Sequence, residues 1–388
     1  MLRFLKGKMR IIKNIIAVAA ALTCLVGAAP AYSAVSAAYT EAVTDSAQTK
    51  NTFASSNEAA IYVREQLVKR NTDISITLPS DEGISGRDLM NKVIDLAVAE
   101  TGVGSEGDYL RMSMKGHGGM ITKSSGQITL DIHVDYYTDA EQEKYVAGRI
   151  ASIVSMLKPD GKSEYEKILS AYKWTTANIS YADDMENDII FTAYGALHNG
   201  KAVCQGYAQV MYRMLREMGV AVRMITGTGT GGGNHVWLIA EADGWYYYID
   251  PTYDGGEKPE NFMFFMKGTE DFDLGEAKHT PSHGKKELPH LEPDYYSEEF
   301  NSEYPINVTE YVPSSPAYRF ILGDVDLNGC IDAFDLTNLR QGILYGIFSE
   351  RSRLAADVDC DGSVKLNDLV LLQSYLMGRV SSFADKAV

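Results

Sequence analysis

Hydrophobic residues recur along the chain in two different periods. Between 57 and 70, and again between 86 and 100, they fall at helical spacing, with Ser85 or Gly86 at the start of the second segment. Over residues 128–136, Ile128, Leu130, Ile132 and Val134 alternate with more polar positions, which predicts a strand with one buried face. Residues 138–157 return to helical spacing and open with Asp139, Glu141 and Glu143, where the helix dipole favours negative charge. From Tyr207 the apolar positions are 207, 210, 211, 214, 215 and 218, one face of a helix that stops at Gly219. Residues 235–241 and 245–250 are strand-like, and Asp243-Gly244 between them predicts a two-residue hairpin turn. That turn sets a register in which Trp237 faces Asp250. Helices and strands mix along the chain, so the fold class is α+β.

The 388 residues are enough for two or three domains, and 45% hydrophobic with 23% charged residues excludes a disordered chain. A basic stretch (Arg3, Lys6, Lys8, Arg10, Lys13) precedes an apolar run over 15–29, and small residues then offer cleavage after Ala31 or Ser33. Residues 1–33 therefore read as a signal peptide, too short for a membrane span, and the protein as secreted. Fifty-two acidic against 36 basic residues give a net charge of −16, which loss of the leader deepens, so nucleic acid is excluded as a partner. The leader also takes Cys24, leaving Cys204, Cys330 and Cys360. An odd number in a secreted chain leaves at least one thiol for chemistry.

Residues 34–55 read as a flexible lead-in of low complexity, 56–157 as an N-terminal α+β domain, and 160–300 as the catalytic domain. Six of the eleven prolines lie between 281 and 316, so 301–321 is expected to be a linker. His279, His283 and His290 fall in this proline-rich stretch without nearby cysteines and read as a solvated loop. His117 and His133 are given no role.

The last unit, 322–381, contains a duplication. The twelve residues from Asp324 to Asp335 align with those from Asp357 to Asp368. Positions 1, 3, 5 and 12 carry oxygen side chains: Asp324, Asp326, Asn328 and Asp335, then Asp357, Asp359, Asp361 and Asp368. Glycine at position 6 lets the loop turn sharply so that these oxygens converge on a hard cation. Position 7 (Cys330, Ser363) would offer its backbone carbonyl. Position 9 is Asp332 in the first loop but Lys365 in the second, which cannot ligate. Each loop leads into an apolar-patterned helix, while two prolines oppose a helix before the first. A loop-then-helix duplicate ending in Asp resembles a type I dockerin. The resemblance implies two structural calcium ions and docking on a cohesin module of a scaffoldin, as in cellulosome-type assemblies.

Cys204 sits where the 207–218 pattern begins, at a helix amino terminus. Unsatisfied N–H groups there favour a thiolate and can stabilise an oxyanion. The hairpin register puts His235 and Asp250 on one sheet face as diagonal neighbours, within side-chain reach. A nucleophile, an imidazole and a carboxylate so arranged fit a Cys-His-Asp triad. The five glycines and two threonines of 227–233 lead into a strand without Gly-Lys-Ser/Thr, which excludes a phosphate loop and predicts a mobile, open flank. Trp237, Tyr181 and Tyr194 are read as cleft-lining, with core packing as the alternative.

Cys204-Gln-Gly-Tyr, His235-Val-Trp and Trp245-Tyr-Tyr-Tyr-Ile-Asp250-Pro-Thr resemble, in order and spacing, the three blocks of the transglutaminase-like superfamily over residues 164–255. The resemblance implies a papain/transglutaminase-like core, a cysteine-bearing helix on an antiparallel sheet, with an N-terminal α+β extension and a small all-α dockerin. It makes Cys204 the nucleophile, His235 the base and Asp250 its orienter, with no cofactor in the chemistry. The expected activity is cleavage of amide bonds in a protein or peptide substrate, on a scaffold that works on polysaccharide. Glutamine crosslinking and a non-catalytic binding module are the alternatives.

Overall fold

The computed structural model describes residues 39–42, 51–80, 84–182, 187–259, 262–273, 277–284, 293–313, 321–327, 330–346, 348 and 350–383. The leader read at 1–33, most of the lead-in, His290 and Asn328 lie outside the described residues.

The first sheet has β1 (Tyr39–Ala42), β2 (Asn51–Thr52), β3 (Asp73–Pro79), β4 (Met114–Ser124) and β5 (Gln127–Tyr136), in the order β1-β4-β5-β3-β2. β5 is antiparallel to both neighbours. Its Ile128, Leu130, Ile132 and Val134 are all buried, as the alternation predicts. Helices Ser56–Val68 and Gly86–Ala97 cover them, sharing one apolar core with the sheet through Ala59, Val63 and Leu67 and through Met90, Val93 and Ile94. Ser55 and Ser85 cap these helices, each hydroxyl accepting an orphan N–H, from Glu58 at 3.3 Å and from Asp88 at 3.1 Å.

The second unit is built round the helix Cys204–Glu217. The sequence pattern gave this helix one apolar face, but every residue from Cys204 to Leu215 is buried. Its two buried glutamines are satisfied inside. Gln205 donates to the Met112 carbonyl at 2.9 Å, and Gln209 accepts from the Ala193 N–H at 2.7 Å. Helices Ala140–Leu157 and Glu164–Asn178 pack on it, preceding a short parallel pair, β6 (Ser180–Tyr181) with β7 (Lys201–Ala202). An antiparallel sheet packs against it too: β8 (Val222–Thr228), β9 (Asn234–Ala242), β10 (Trp245–Ile249) and β11 (Thr280–Pro281), in the order β10-β9-β8-β11.

Two segments pack differently from the sequence expectation. The helix over 140–157, read as part of the N-terminal domain, puts Val146, Ile150, Ile153 and Val154 into one core with Tyr207, Met211 and Leu215. A helix buried all round needs cover on every side, and the 140–157 helix supplies part of it. Residues 301–311, read as linker, are folded onto the sheet. Ile306 bridges to Tyr246, the Tyr311 N–H donates to the Met266 carbonyl at 2.9 Å, and buried Lys267 pairs with Glu310.

Buried charges join the two units. Asp108 accepts from Arg111 at 2.7 Å, from Arg223 at 2.8 Å and from the Met224 N–H at 2.8 Å; Glu100 accepts from Arg216 at 2.6 Å and Tyr212 at 2.8 Å. The C-terminal unit is helical (Ala333–Tyr345, Glu350–Ala356, Leu366–Leu376) around Val325, Leu339, Val358, Leu372 and Phe383. Among the described residues no helix is long and apolar enough to cross a membrane.

Candidate active site

Cys204 is the first residue of the central helix, after Val203, whose carbonyl accepts the Gly206 and Tyr207 N–H groups. Gly206 lets the helix start lie against the 190–192 segment: a β-carbon there would stand 2.6 Å from the Ala202 β-carbon and 2.9 Å from the Thr192 carbonyl. The thiol, 9% exposed, is thereby fixed at the positive end of the helix dipole.

The β9–β10 hairpin closes with positive φ at both Asp243 and Gly244, the geometry its sequence predicts. Trp245 pairs with Ala242 and Ile249 with Leu238, the expected register. It brings His235 Nε2 to 2.6 Å from Asp250 Oδ2. Cys204 lies close enough to act on the same imidazole. Burial alone would depress the His235 pKa, but the Asp250 charge and hydrogen bond, with Cys204 adding, hold it well above the ordinary range. Burial likewise works to raise Asp250, and His235 and then His279 overcome it, holding the carboxyl well below its usual range. Asp250 is fully buried, its Oδ1 takes the Thr252 N–H at 2.8 Å, and its carbonyl takes the Tyr172 hydroxyl at 2.7 Å. Tyr253 stacks on the His235 ring with centroids 4.8 Å apart, and Trp237 lies 5.8 Å from it.

In the C-terminal unit, oxygens of Asp324, Asp326 and Asp335 converge within 4.8 Å, as do those of Asp357, Asp359 and Asp361 in the second loop. Such carboxylate oxygens suit a hard cation. The closing residues also brace the loops: Asp335 accepts from the Asp326 and Asp332 N–H groups, and Asp368 from those of Asp359 and Lys365. Asp332 caps the following helix through the Phe334 N–H at 2.7 Å and is not among the three that converge. Lys365 faces Asp361 at 3.6 Å. Cys330 and the Ser363 side chain are exposed or half-exposed, and Ser363 Oγ donates to Asp361 at 2.7 Å.

Residues 153–251 match the family model of the transglutaminase-like superfamily, and residues 322–377 match that of the dockerin type I domain. The chain carries a transglutaminase-like domain and a type I dockerin. Over 72 residues it is 36% identical to a multidomain esterase of Ruminococcus flavefaciens, covering 18% of this chain and only 9% of the esterase. A solved cohesin–dockerin complex of Acetivibrio cellulolyticus shares 42% identity over 18% of this chain and 99% of that chain, with a TM-score of 0.17. A structure described as a TGase is 11% identical over 48% of this chain and 56% of that chain, with a TM-score of 0.26.

The transglutaminase-like domain holds one side chain that the sequence reading put in solvent. His279 is 9% exposed, with Nε2 3.1 Å from Asp250 Oδ2 and Nδ1 2.9 Å from Asp273 Oδ1. β11 explains its position: Thr280 and Pro281 pair with Thr228 and Gly227 at the sheet edge, which carries the preceding residue over Asp250. The Thr-Pro of a short edge strand was the only sequence signal. His283 is exposed and stacks on Tyr296. His235, Asp250 and His279 bring ligand-type atoms within 4.8 Å. Their 2.6 Å contact is a hydrogen bond, shorter than the roughly 3.3 Å edge of a tetrahedron around a cation with ligands at about 2.0–2.1 Å.

Of the expected cleft aromatics, Tyr181 lies near Cys204, and burial, with Cys204 beside it, pushes its phenol up. Trp237 is fully buried, and Tyr194 stacks on His198, so both serve packing. The glycine-rich segment is closed: Gly229 N–H donates to the Gly233 carbonyl at 2.8 Å, Thr230 N–H donates to the Tyr253 hydroxyl, and Lys278 N–H donates to Thr230 Oγ1. The open flank expected from composition is tied down on three sides.

Proposed function

We propose that this protein is a secreted cysteine enzyme that hydrolyses amide bonds of proteins or peptides. One observation carries the reading: His235 Nε2 lies 2.6 Å from a fully buried carboxylate, and Cys204 acts on the same imidazole. The Cys204 thiolate attacks the carbonyl carbon, and helix N–H groups face the developing oxyanion. As the C–N bond breaks, His235 gives its proton to the leaving amine. His235 then takes a proton from water, whose oxygen displaces the thiolate and releases the acid. Asp250 orients the imidazole throughout.

Water needs no site of its own, whereas a lysine acceptor needs an apolar passage. Trp237 is fully buried, its ring against those of His235 and His279. Incubation with a glutamine-containing protein and a labelled primary amine tests the choice. Cleavage or ammonia release should outrun amine incorporation, and the reverse order would make the enzyme a crosslinking transglutaminase. A Cys204 that iodoacetamide labels no faster than an ordinary thiol would leave a binding module. The dockerin would hold two calcium ions, one in each acidic loop, and anchor the enzyme to a cohesin of a scaffoldin. This makes it a component of an extracellular, cellulosome-type assembly.

A further inference from the structure

We infer that His279 is a positioning residue for this chemistry, holding Asp250 in register with His235. The inference rests on the Cys204–His235–Asp250 reading.

Oδ2 of Asp250 faces two imidazole nitrogens, His235 Nε2 at 2.6 Å and His279 Nε2 at 3.1 Å, while Oδ1 takes the Thr252 N–H at 2.8 Å. The carboxylate is fully buried, so protein groups must satisfy its acceptor directions. With Thr252 and His235 alone, each oxygen would have one partner. The second imidazole adds a third contact, and a turn of the carboxylate about its own axis would break all three together.

His279 is itself fixed. Its Nδ1 lies 2.9 Å from Asp273 Oδ1, and its backbone N–H donates to the same oxygen at 3.0 Å. Phe272 stacks on the ring with centroids 4.0 Å apart, and Trp237 meets it edge-on at 5.1 Å. Both ring nitrogens face carboxylate oxygens. A line of hydrogen bonds therefore runs from His235 through Asp250 and His279 to Asp273, whose side chain reaches the surface at 32% exposure. The ordinary alternative is a core histidine that merely anchors the 277–281 segment. Such a residue would serve as well bonded to a backbone carbonyl, yet its Nε2 goes to the carboxylate that orients His235.

The test compares the wild-type full chain with His279→Ala and His279→Gln, reading melting temperature, the rate of Cys204 alkylation by iodoacetamide at pH 6.5, kcat and KM. Loss of orientation in His279→Ala should slow alkylation and lower kcat by about tenfold or more, with KM nearly unchanged. His279→Gln keeps an N–H donor toward Asp250 and should recover most of both. Wild-type alkylation and kcat in His279→Ala would overturn the inference, as would equal losses in both variants. Should His279→Ala fail to fold, Asp273→Ala releases the far end of the same ring from the surface, and an unchanged alkylation rate there would overturn it too. A wild-type Cys204 no more reactive than an unactivated thiol would overturn the triad reading and this inference with it. Activated wild type with equally activated His279→Ala sinks this inference alone.

Discussion

Gly229 passes directly against His235: a β-carbon at Gly229 would stand 3.1 Å from Cβ and Cγ of the imidazole and 2.7 Å from the Tyr253 hydroxyl. The Tyr253 ring stacks on the same imidazole, so its freedom to shift is small. Gly229→Ala should displace the ring by a few tenths of an ångström and lower kcat by about tenfold, with little change in KM, as misplacement of a reacting group does. Steady-state kinetics on a peptide amide would check this. Wild-type kcat in Gly229→Ala would mean that the ring position has slack.

Cys204→Ala removes the thiol of the proposed acyl-enzyme. Turnover should vanish while the melting temperature moves by only a few degrees, because one small, nearly buried sulfur is lost from a helix that is otherwise fully packed. Mass spectrometry of a substrate quenched with wild-type enzyme should find the acyl adduct on Cys204. Residual turnover in the alanine variant would place the nucleophile elsewhere.

Asp250→Asn isolates the charge. Burial pulls the His235 pKa down, and the Asp250 charge and hydrogen bond, with Cys204 adding, together outweigh it. Removing the charge leaves burial opposed by Cys204 alone, so an imidazolium beside the thiolate should be lost. Cys204 alkylation should then fall steeply at pH 6–7 and recover only as pH rises through the range where a thiol ionises unaided, about 8.5. A rate–pH profile that keeps the wild-type acidic limb would show that Asp250 contributes position and not charge.

Calcium should govern the dockerin independently of the thiol chemistry. In each loop three carboxylates have oxygens within 4.8 Å of one another, and they repel until a cation neutralises them. Asp324→Ala combined with Asp357→Ala, or excess chelator on the wild type, should abolish cohesin binding in a titration while Cys204 alkylates at its normal rate. Tight binding in chelator would remove calcium from the account.

The sequence by itself determined the local geometry of the site. Asp243-Gly244 is a two-residue turn with few alternatives, so it fixed the β9–β10 register and with it the approach of His235 to Asp250. The apolar run beginning at Tyr207 put Cys204 at a helix start, and the spacing of carboxylates around a turn made the acidic loops legible. Only the tertiary structure decided what depends on distant segments meeting. The apolar pattern of the central helix could not reveal that Gln205 and Gln209 would be buried, because their partners, Met112 and Ala193, lie on other elements. The helix over 140–157 looked like the end of one unit and covers the core of the next. His279 is the sharpest case: near prolines and far from any periodic segment it reads as solvent-exposed, and it is buried because Thr280–Pro281 add to the edge of β8. Periodicity reports the face of an element that is apolar. It carries no information on which backbone will pair at an open sheet edge, and at this edge that pairing supplied the second imidazole on Asp250.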